Sequence, residues 1–251
     1  MKKILLFSIA LLLAGLNSFA QWESITCPTA NHLTNVCFPS PETGYSVGTG
    51  GTILKSNDMG ATWDTLPSGT TINLFGLFFI NSNKGFAGDV NGNILKTTNG
   101  GASWVPQYSG TASSIFGIYF PKPDTGYAVG AGGTILKTTN GGVSWESQNS
   151  GTTISLKSAY FTDANNGIVV GGDVPSWIGV ILKTTNGGAT WTTISNNYWL
   201  YSVCFTNANT GYAVGDNYGG LIFFSNRRHR RFSWLRGYDG QNHKRRFFSR
   251  Y

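Results

Sequence analysis

After the first twenty residues, short apolar runs rich in aromatic and β-branched side chains alternate with clusters of Asn, Gly, Ser and Pro. No dozen-residue window of this body carries apolar positions at i, i+3, i+4 and i+7, so the pattern predicts strands and turns rather than helices. Within residues 74–108 the runs are Leu74 to Ile80, Gly85 to Val90, Asn93 to Thr97 and Ser103 to Tyr108. The same four-run phrase returns along the chain. Its opening Gly falls at Gly44, Gly85, Gly126, Gly167 and Gly211, and its closing Trp at Trp63, Trp104, Trp145 and Trp191. Four antiparallel strands per unit of about 41 residues predict an all-β fold, a β-propeller of four-stranded blades. Four repeats are complete and a fifth is broken, which implies an incomplete ring. A right-handed β-solenoid is the competing architecture, but its rungs are shorter and lack a hairpin inside each unit.

Between the third and fourth runs lies an eight-residue turn. Its copies are Ser56-Asn57-Asp58-Met59-Gly60-Ala61-Thr62-Trp63, then Thr97 to Trp104, Thr138 to Trp145 and Thr184 to Trp191. Asp58, Asn99, Asn140 and Asn186 are placed to accept hydrogen bonds from backbone N–H groups just downstream. Gly60, Gly101, Gly142 and Gly188 supply a backbone geometry that a side chain resists. Thr62, Ser103, Ser144 and Thr190 are able to bond back across the hairpin, and each Trp buries a large apolar face.

This turn resembles the Asp-box of the sialidase-type repeat superfamily, and the first copy matches it fully. The longer phrase, Thr-Gly-Tyr-Ala-Val-Gly-x-x-Gly-Thr-Ile-Leu-Lys-Thr-Thr-Asn-Gly-Gly-x-Ser-Trp, resembles the repeat of the photosystem II stability/assembly factor-like propellers. That resemblance runs over about residues 35–226. It implies a propeller, seven-bladed in the family, and a role either in photosystem assembly or as a binding module of exported bacterial proteins.

The ends of the chain change the picture more than its overall composition does. Lys2 and Lys3 precede an apolar run from Ile4 to Leu16, and Ser18-Phe19-Ala20 supplies small residues for a peptidase. The run is too short for a bilayer, which needs about 20 residues, so residues 1–20 are expected to be a cleaved signal peptide. The mature chain is expected to start near Gln21 and to be secreted or periplasmic, with no stable membrane insertion. All eight arginines lie from Arg227 onward. With Lys244 and the single acid Asp239 the last 25 residues carry +8, so the rest of the chain is at −1 against a total of +7. Basic residues interleaved with aromatics ordinarily suggest nucleic acid or an anionic surface. Here, aligning Asn226 with Asn140 and Asn186 places the expected Gly-Gly at 227–228, where Arg-Arg stands. Arg codons of the form CGG, read one base later, begin with the GG of glycine. Residues 227–251 are therefore read as a frameshifted, non-native tail with no nucleic-acid role.

Of the three cysteines, Cys37 and Cys204 occupy a position filled elsewhere by Phe78, Tyr119 and Tyr160, so both are read as small core hydrophobes. Pairing of Cys27 with Cys37 is left open. His32, His229 and His243 show no metal-ligand spacing, and no metal or cofactor is expected. Sialidase chemistry needs an arginine cluster to grip a carboxylate, and the body has none. Paired carboxylates for another glycosidase would come from Asp89, Asp173 and Asp216, whose simpler role is turn formation. Asp124, Asp163, Glu23, Glu42 and Glu146 are further candidates. The only departure from the period in the intact part is an insertion around Asp173-Val174-Pro175-Ser176-Trp177. There Asp173 and Trp177 form a speculative binding loop. The resulting expectation is a monomeric, non-enzymatic module with an unknown protein or glycan partner. A glycoside hydrolase and a true photosystem II assembly factor are the alternatives.

Overall fold

The computed structural model describes residues 24–173, 178–196, 199–216, 221–226 and 231–236. Those residues form five four-stranded antiparallel sheets, each a simple meander. The first holds β1 (Leu33–Cys37), β2 (Gly44–Gly48), β3 (Ile53–Ser56) and β4 (Asp64–Leu66). The second holds β5 (Leu74–Phe79), β6 (Gly85–Asp89), β7 (Ile94–Thr97) and β8 (Val105–Gln107). The third is β9 (Ile115–Tyr119), β10 (Gly126–Gly130), β11 (Ile135–Thr138) and β12 (Glu146–Gln148), and the fourth β13 (Leu156–Phe161), β14 (Gly167–Asp173), β15 (Ile178–Thr184) and β16 (Thr192–Asn196). The fifth is β17 (Trp199–Asn207), β18 (Thr210–Asp216), β19 (Leu221–Asn226) and β20 (Arg231–Arg236). The first strands β1, β5, β9, β13 and β17 lie side by side at the centre of the fan. The architecture is that of propeller blades.

The repeat phrase fixes the register. The opening Gly pairs with the first residue of the eight-residue turn in every sheet: Gly44 with Ser56, Gly85 with Thr97, Gly126 with Thr138 and Gly167 with Thr184. These opening glycines are required by close approach. A Cβ on Gly85, Gly126, Gly167 or Gly211 would sit 2.4–2.6 Å from the ring of Phe79, Phe120, Phe161 or Phe205, six residues upstream. That ring is in turn the floor of the packing between blades. Tyr45 stacks on Phe79 at 3.7 Å, Phe86 on Phe120 at 4.5 Å and Tyr127 on Phe161 at 3.9 Å, each pair crossing from one sheet to the next. The cores accordingly lie between sheets rather than within them: Val47, Leu77 and Trp104 join the first two, Phe86, Ile118 and Trp145 the next, and Tyr127, Ala159 and Val169 the third and fourth. Burying aromatic faces between neighbours, with no core private to a blade, is what a stacked repeat demands.

The fifth sheet corrects the alignment at the break. Gly211 pairs with Ser225, as Gly126 pairs with Thr138, so Asn226 occupies the place of Thr139 and falls one residue short of Asn140. Asn226 then pairs with Arg231, so the ladder between the last two strands runs two pairs further than in the other sheets. Strand β20 belongs to the segment that the sequence reading separates from the blades, so the fifth sheet extends to Arg236. Backbone pairing needs only an extended chain and so accepts Arg231–Arg236. The cysteine reading divides. All three thiols are free. Cys37 packs half-buried against the first core, and burial pushes its thiol up to about 12. Cys204 is exposed, contrary to the core reading. Its counterparts Phe78 and Tyr119 are covered by Tyr119 and Tyr160 of the following sheet, and no described sheet follows the fifth.

Candidate functional site

The repeated turns carry most of the residues singled out in the sequence. In the first, Ser56 Oγ donates to Asp58 Oδ1 at 2.7 Å and accepts from the Gly60 N–H at 2.9 Å. Asp58 Oδ1 accepts from the Thr62 N–H at 2.9 Å, and Asp58 Oδ2 accepts from Thr62 Oγ1 at 2.6 Å. Trp63 Nε1 donates to the Gly60 carbonyl. The other copies repeat the hydroxyl and amide bonds through Thr97, Asn99 and Ser103, Thr138, Asn140 and Ser144, and Thr184, Asn186 and Thr190, but the indole N–H groups of Trp104, Trp145 and Trp191 are buried without a partner among the described residues. In these the amide Nδ2 donates to the Ser or Thr hydroxyl, so that one bond reverses direction relative to Asp58. Gly60, Gly101, Gly142 and Gly188 have φ between +74° and +90°, which is the geometry expected of them. Each turn is closed on itself. Trp104, Trp145 and Trp191 face edge-on to Phe79, Phe120 and Phe161 at 5.9–6.1 Å. These residues build blades, and the side-chain oxygens of Asp58, Asn99, Asn140 and Asn186 are engaged within their own turns.

The other carboxylates are also committed to structure, Asp89 and Asp173 at the opposite end of the blades and Asp163 at the same end as the turns. Asp89 is buried, and its Oδ1 accepts from the N–H groups of Asn91 and Asn93 at 2.8 Å while its Oδ2 accepts from Asn93 Nδ2. Asp163 closes a turn through the N–H groups of Asn165 and Asn166. Asp173 accepts from the Ser155 N–H at 3.2 Å and pairs in register with Ile178. The insertion thus lengthens the β14–β15 hairpin. Trp177 and the side chain of Asp216 lie outside the described residues. Among the described residues no three His, Cys, Asp or Glu side chains cluster as metal ligands would.

A different set of side chains converges at the centre. Each first strand carries a β-bulge at the same position, because the register skips one residue against the second strand: Thr34, Phe75, Phe116, Lys157 and Tyr201. A bulge leaves its residue unpaired and re-aims it, and bulges concentrate at functional sites. Here Phe75 and Phe116 meet at 5.8 Å, and Lys157 Nζ sits 3.7 Å above the Phe116 ring. Trp199 and Tyr201 pack at 4.8 Å in the last sheet. Burial lowers the Lys157 pKa, and the charge of Asp173 opposes that shift. The result is a central strip of aromatic faces around one cation held by a cation–π contact. The separate concavity at the outer loops of the first blade, about 770 Å³, is shallow and lined mainly by Thr, Ser and Gly, including Thr52, Ser68 and Thr70.

With this geometry the chain can be set beside known proteins. A family model described as Photosynthesis system II assembly factor YCF48 matches residues 15–105 and 101–200. The chain belongs to that family. Among solved structures, this YCF48-family chain resembles one titled "YCF48 bound to D1 peptide", at 18% identity and a TM-score of 0.67, over 85% of this chain and 69% of that one. YCF48 from Cyanidioschyzon merolae aligns at 18% identity and a TM-score of 0.65, over 86% and 75%. The GH74 enzyme of Niastella koreensis aligns at 22% identity and a TM-score of 0.67, over 81% of this chain and 38% of that one. No curated protein matches in sequence. These structural likenesses establish the propeller fold shared by the YCF48 family and the GH74 enzymes.

The structure therefore gathers the predicted turn residues into separate repeated turns and not into one site. It places Asp173 near the central strip, through its charge on Lys157. The strip itself escaped the sequence reading. Its position varies from Thr to Phe to Lys to Tyr between repeats, and such variation at a fixed place in an otherwise constant unit was the available signal.

Proposed function

We propose that this member of the YCF48 family is an exported, non-enzymatic propeller that binds a protein partner across the central strip of bulged residues. The observation that carries the reading is the recurrence of the bulge in all five first strands, with Phe116 in contact with both Phe75 and Lys157. Aromatic faces beside a partly desolvated cation suit an extended peptide with apolar side chains and a carboxylate. A structural relative, YCF48, is bound to a D1 peptide, which favours peptide over glycan. A hydrolase reading draws on the GH74 likeness, but Asp89 is buried and already accepts from three donors of its own turn. Photosystem assembly rests on the family alone and is tested by whether the host encodes photosystem genes.

The experiment is a screen of the exported chain on peptide and glycan arrays, repeated with Phe116→Ala and Lys157→Ala. Each variant should weaken peptide binding about tenfold, the scale of one well-desolvated contact. Glycan hydrolysis, or peptide binding indifferent to both substitutions, would overturn the proposal.

A further inference from the structure

The chain contains five Asn-Gly bonds, beginning at Asn91, Asn99, Asn140, Asn166 and Asn186. An asparagine followed by glycine readily loses its side-chain amide, because no side chain on the next residue keeps that residue's backbone nitrogen from reaching Cγ. The reaction needs two freedoms. The amide must swing toward the following peptide, and the following N–H must be released from its acceptor. Three of the five bonds have neither. Gly100, Gly141 and Gly187 donate their N–H groups to the carbonyls of Asn83, Asp124 and Asn165 at 2.9, 2.7 and 2.9 Å. The amides of Asn99, Asn140 and Asn186 are tied at both ends. Each Oδ1 accepts from the N–H of Ser103, Ser144 or Thr190, and each Nδ2 donates to the hydroxyl of that same residue. In the fourth, Asn166 Nδ2 donates to both carboxylate oxygens of Asp163, and Gly167 is paired on both sides within β14.

Asn91 differs. It stands on the hairpin between β6 and β7, and its side chain is exposed and makes no hydrogen bond to a described residue. The Gly92 N–H faces the Asp89 carbonyl at 3.4 Å, beyond the usual N–H···O range. Exposure does not set the two kinds of site apart, since Asn99, Asn140 and Asn186 are exposed as well, and Gly100, Gly141 and Gly187 are buried like Gly92. The bonding does. The fold also requires glycine at 92, where φ is +90° and a Cβ would sit 2.5 Å from the Thr111 carbonyl oxygen. We propose that Asn91 is a site of spontaneous deamidation in the folded protein. The Gly92 nitrogen attacks Asn91 Cγ and forms a new C–N bond. The bond from Cγ to Nδ2 breaks, ammonia leaves with the proton of the Gly92 N–H, and a cyclic imide remains. Water then adds to either imide carbonyl and opens the ring to aspartate or isoaspartate. Water is the sole co-reactant. The product carries one more negative charge, two residues from the buried carboxylate of Asp89. The site does not rest on the function proposed for the central strip.

The test incubates the full chain at room temperature in mildly alkaline buffer, with circular dichroism to follow folding, and maps amide loss by peptide mass spectrometry. Cleavage after lysine places the five bonds in five separate peptides. In the folded chain Asn91 should convert at least about tenfold faster than Asn99, Asn140 and Asn186, which must first break two or more hydrogen bonds of their turns. In urea, with the fold removed, the five sites should convert at similar rates. Asn91→Gln should remove the first acidic species that ion exchange resolves. Conversion of Asn99, Asn140 and Asn186 as fast as Asn91 in the folded chain, or an intact Asn91 while these convert, would overturn the proposal. So would loss of the urea effect, because the differences would then lie in local sequence and not in the fold.

Discussion

At the scale of single residues, one turn differs in chemistry from its three copies. Asp58 is fully ionised at neutral pH and held down to about 2 by the Thr62 hydroxyl first, then the Thr62 N–H and the Ser56 hydroxyl. Asn99, Asn140 and Asn186 make the corresponding bonds without charge. Because the folded state lowers this pKa below its ordinary 3.8, the contribution of Asp58 to stability is complete above that value. It declines as pH falls from about 4 toward 2. Denaturant unfolding of the wild type and of Asp58→Asn across this range should show a steeper acid loss for the wild type. Parallel curves would contradict the assignment. Beside it, Met59 is the one non-glycine among the described residues with positive φ, at +62°, where the other turns have Gly100, Gly141 and Gly187. The first copy therefore adopts the same left-handed backbone as the others, but with a non-glycine residue in it.

At the scale of elements, a blade is held less by its own hairpins than by latches to the next one. The Tyr127 hydroxyl donates to the Gly187 carbonyl at 2.8 Å across the interface, sharing that acceptor with Lys137. Tyr45 makes the same reach to the Gly100 carbonyl at 3.1 Å and to Ser82 at 2.8 Å. In the second blade the position is Phe86, so the stacked ring is the constant part and the hydroxyl an addition. Tyr127→Phe should keep the stack on Phe161 and lower stability by about 1 kcal/mol, the net worth of one buried hydrogen bond whose acceptor keeps a second donor. The midpoint of urea unfolding at unchanged m reports this, and a loss above about 3 kcal/mol would mean that the ring itself moves.

For the whole molecule, the ends decide the behaviour. In the first blade Leu33, Val36 and Phe38 are 44%, 57% and 44% exposed, whereas Leu74, Leu77 and Phe79 at the same places in the second are buried. In the last blade Val214 is 42% exposed, against a buried Val129. Among the described residues no hydrophobic cluster joins the fifth sheet to the first. Propellers limit their edges by closing the ring, and stacked repeats gain stability from each neighbour. The 251-residue chain should therefore melt broadly and below about 60 °C, high within the usual mesophilic range. Calorimetry together with sedimentation checks this, and a sharp two-state melt of a soluble monomer above that temperature would contradict it.

The sequence by itself determined the blade. Four strand segments, the recurring Gly and Trp and the self-closing turns are local chemistry repeated at a constant period, and the observed strands in residues 74–108 depart from the expected runs by only a residue or two at their ends. What the tertiary structure decided is everything that depends on register between strands far apart. Only pairing shows that Thr34, Phe75, Phe116, Lys157 and Tyr201 are the bulged residues. Pairing likewise shows that Asn226 stands one place short of the position of Asn140. A period specifies each unit. What happens where units meet, or fail to, is set by side chains about 40 residues apart that come into contact only after the chain has folded.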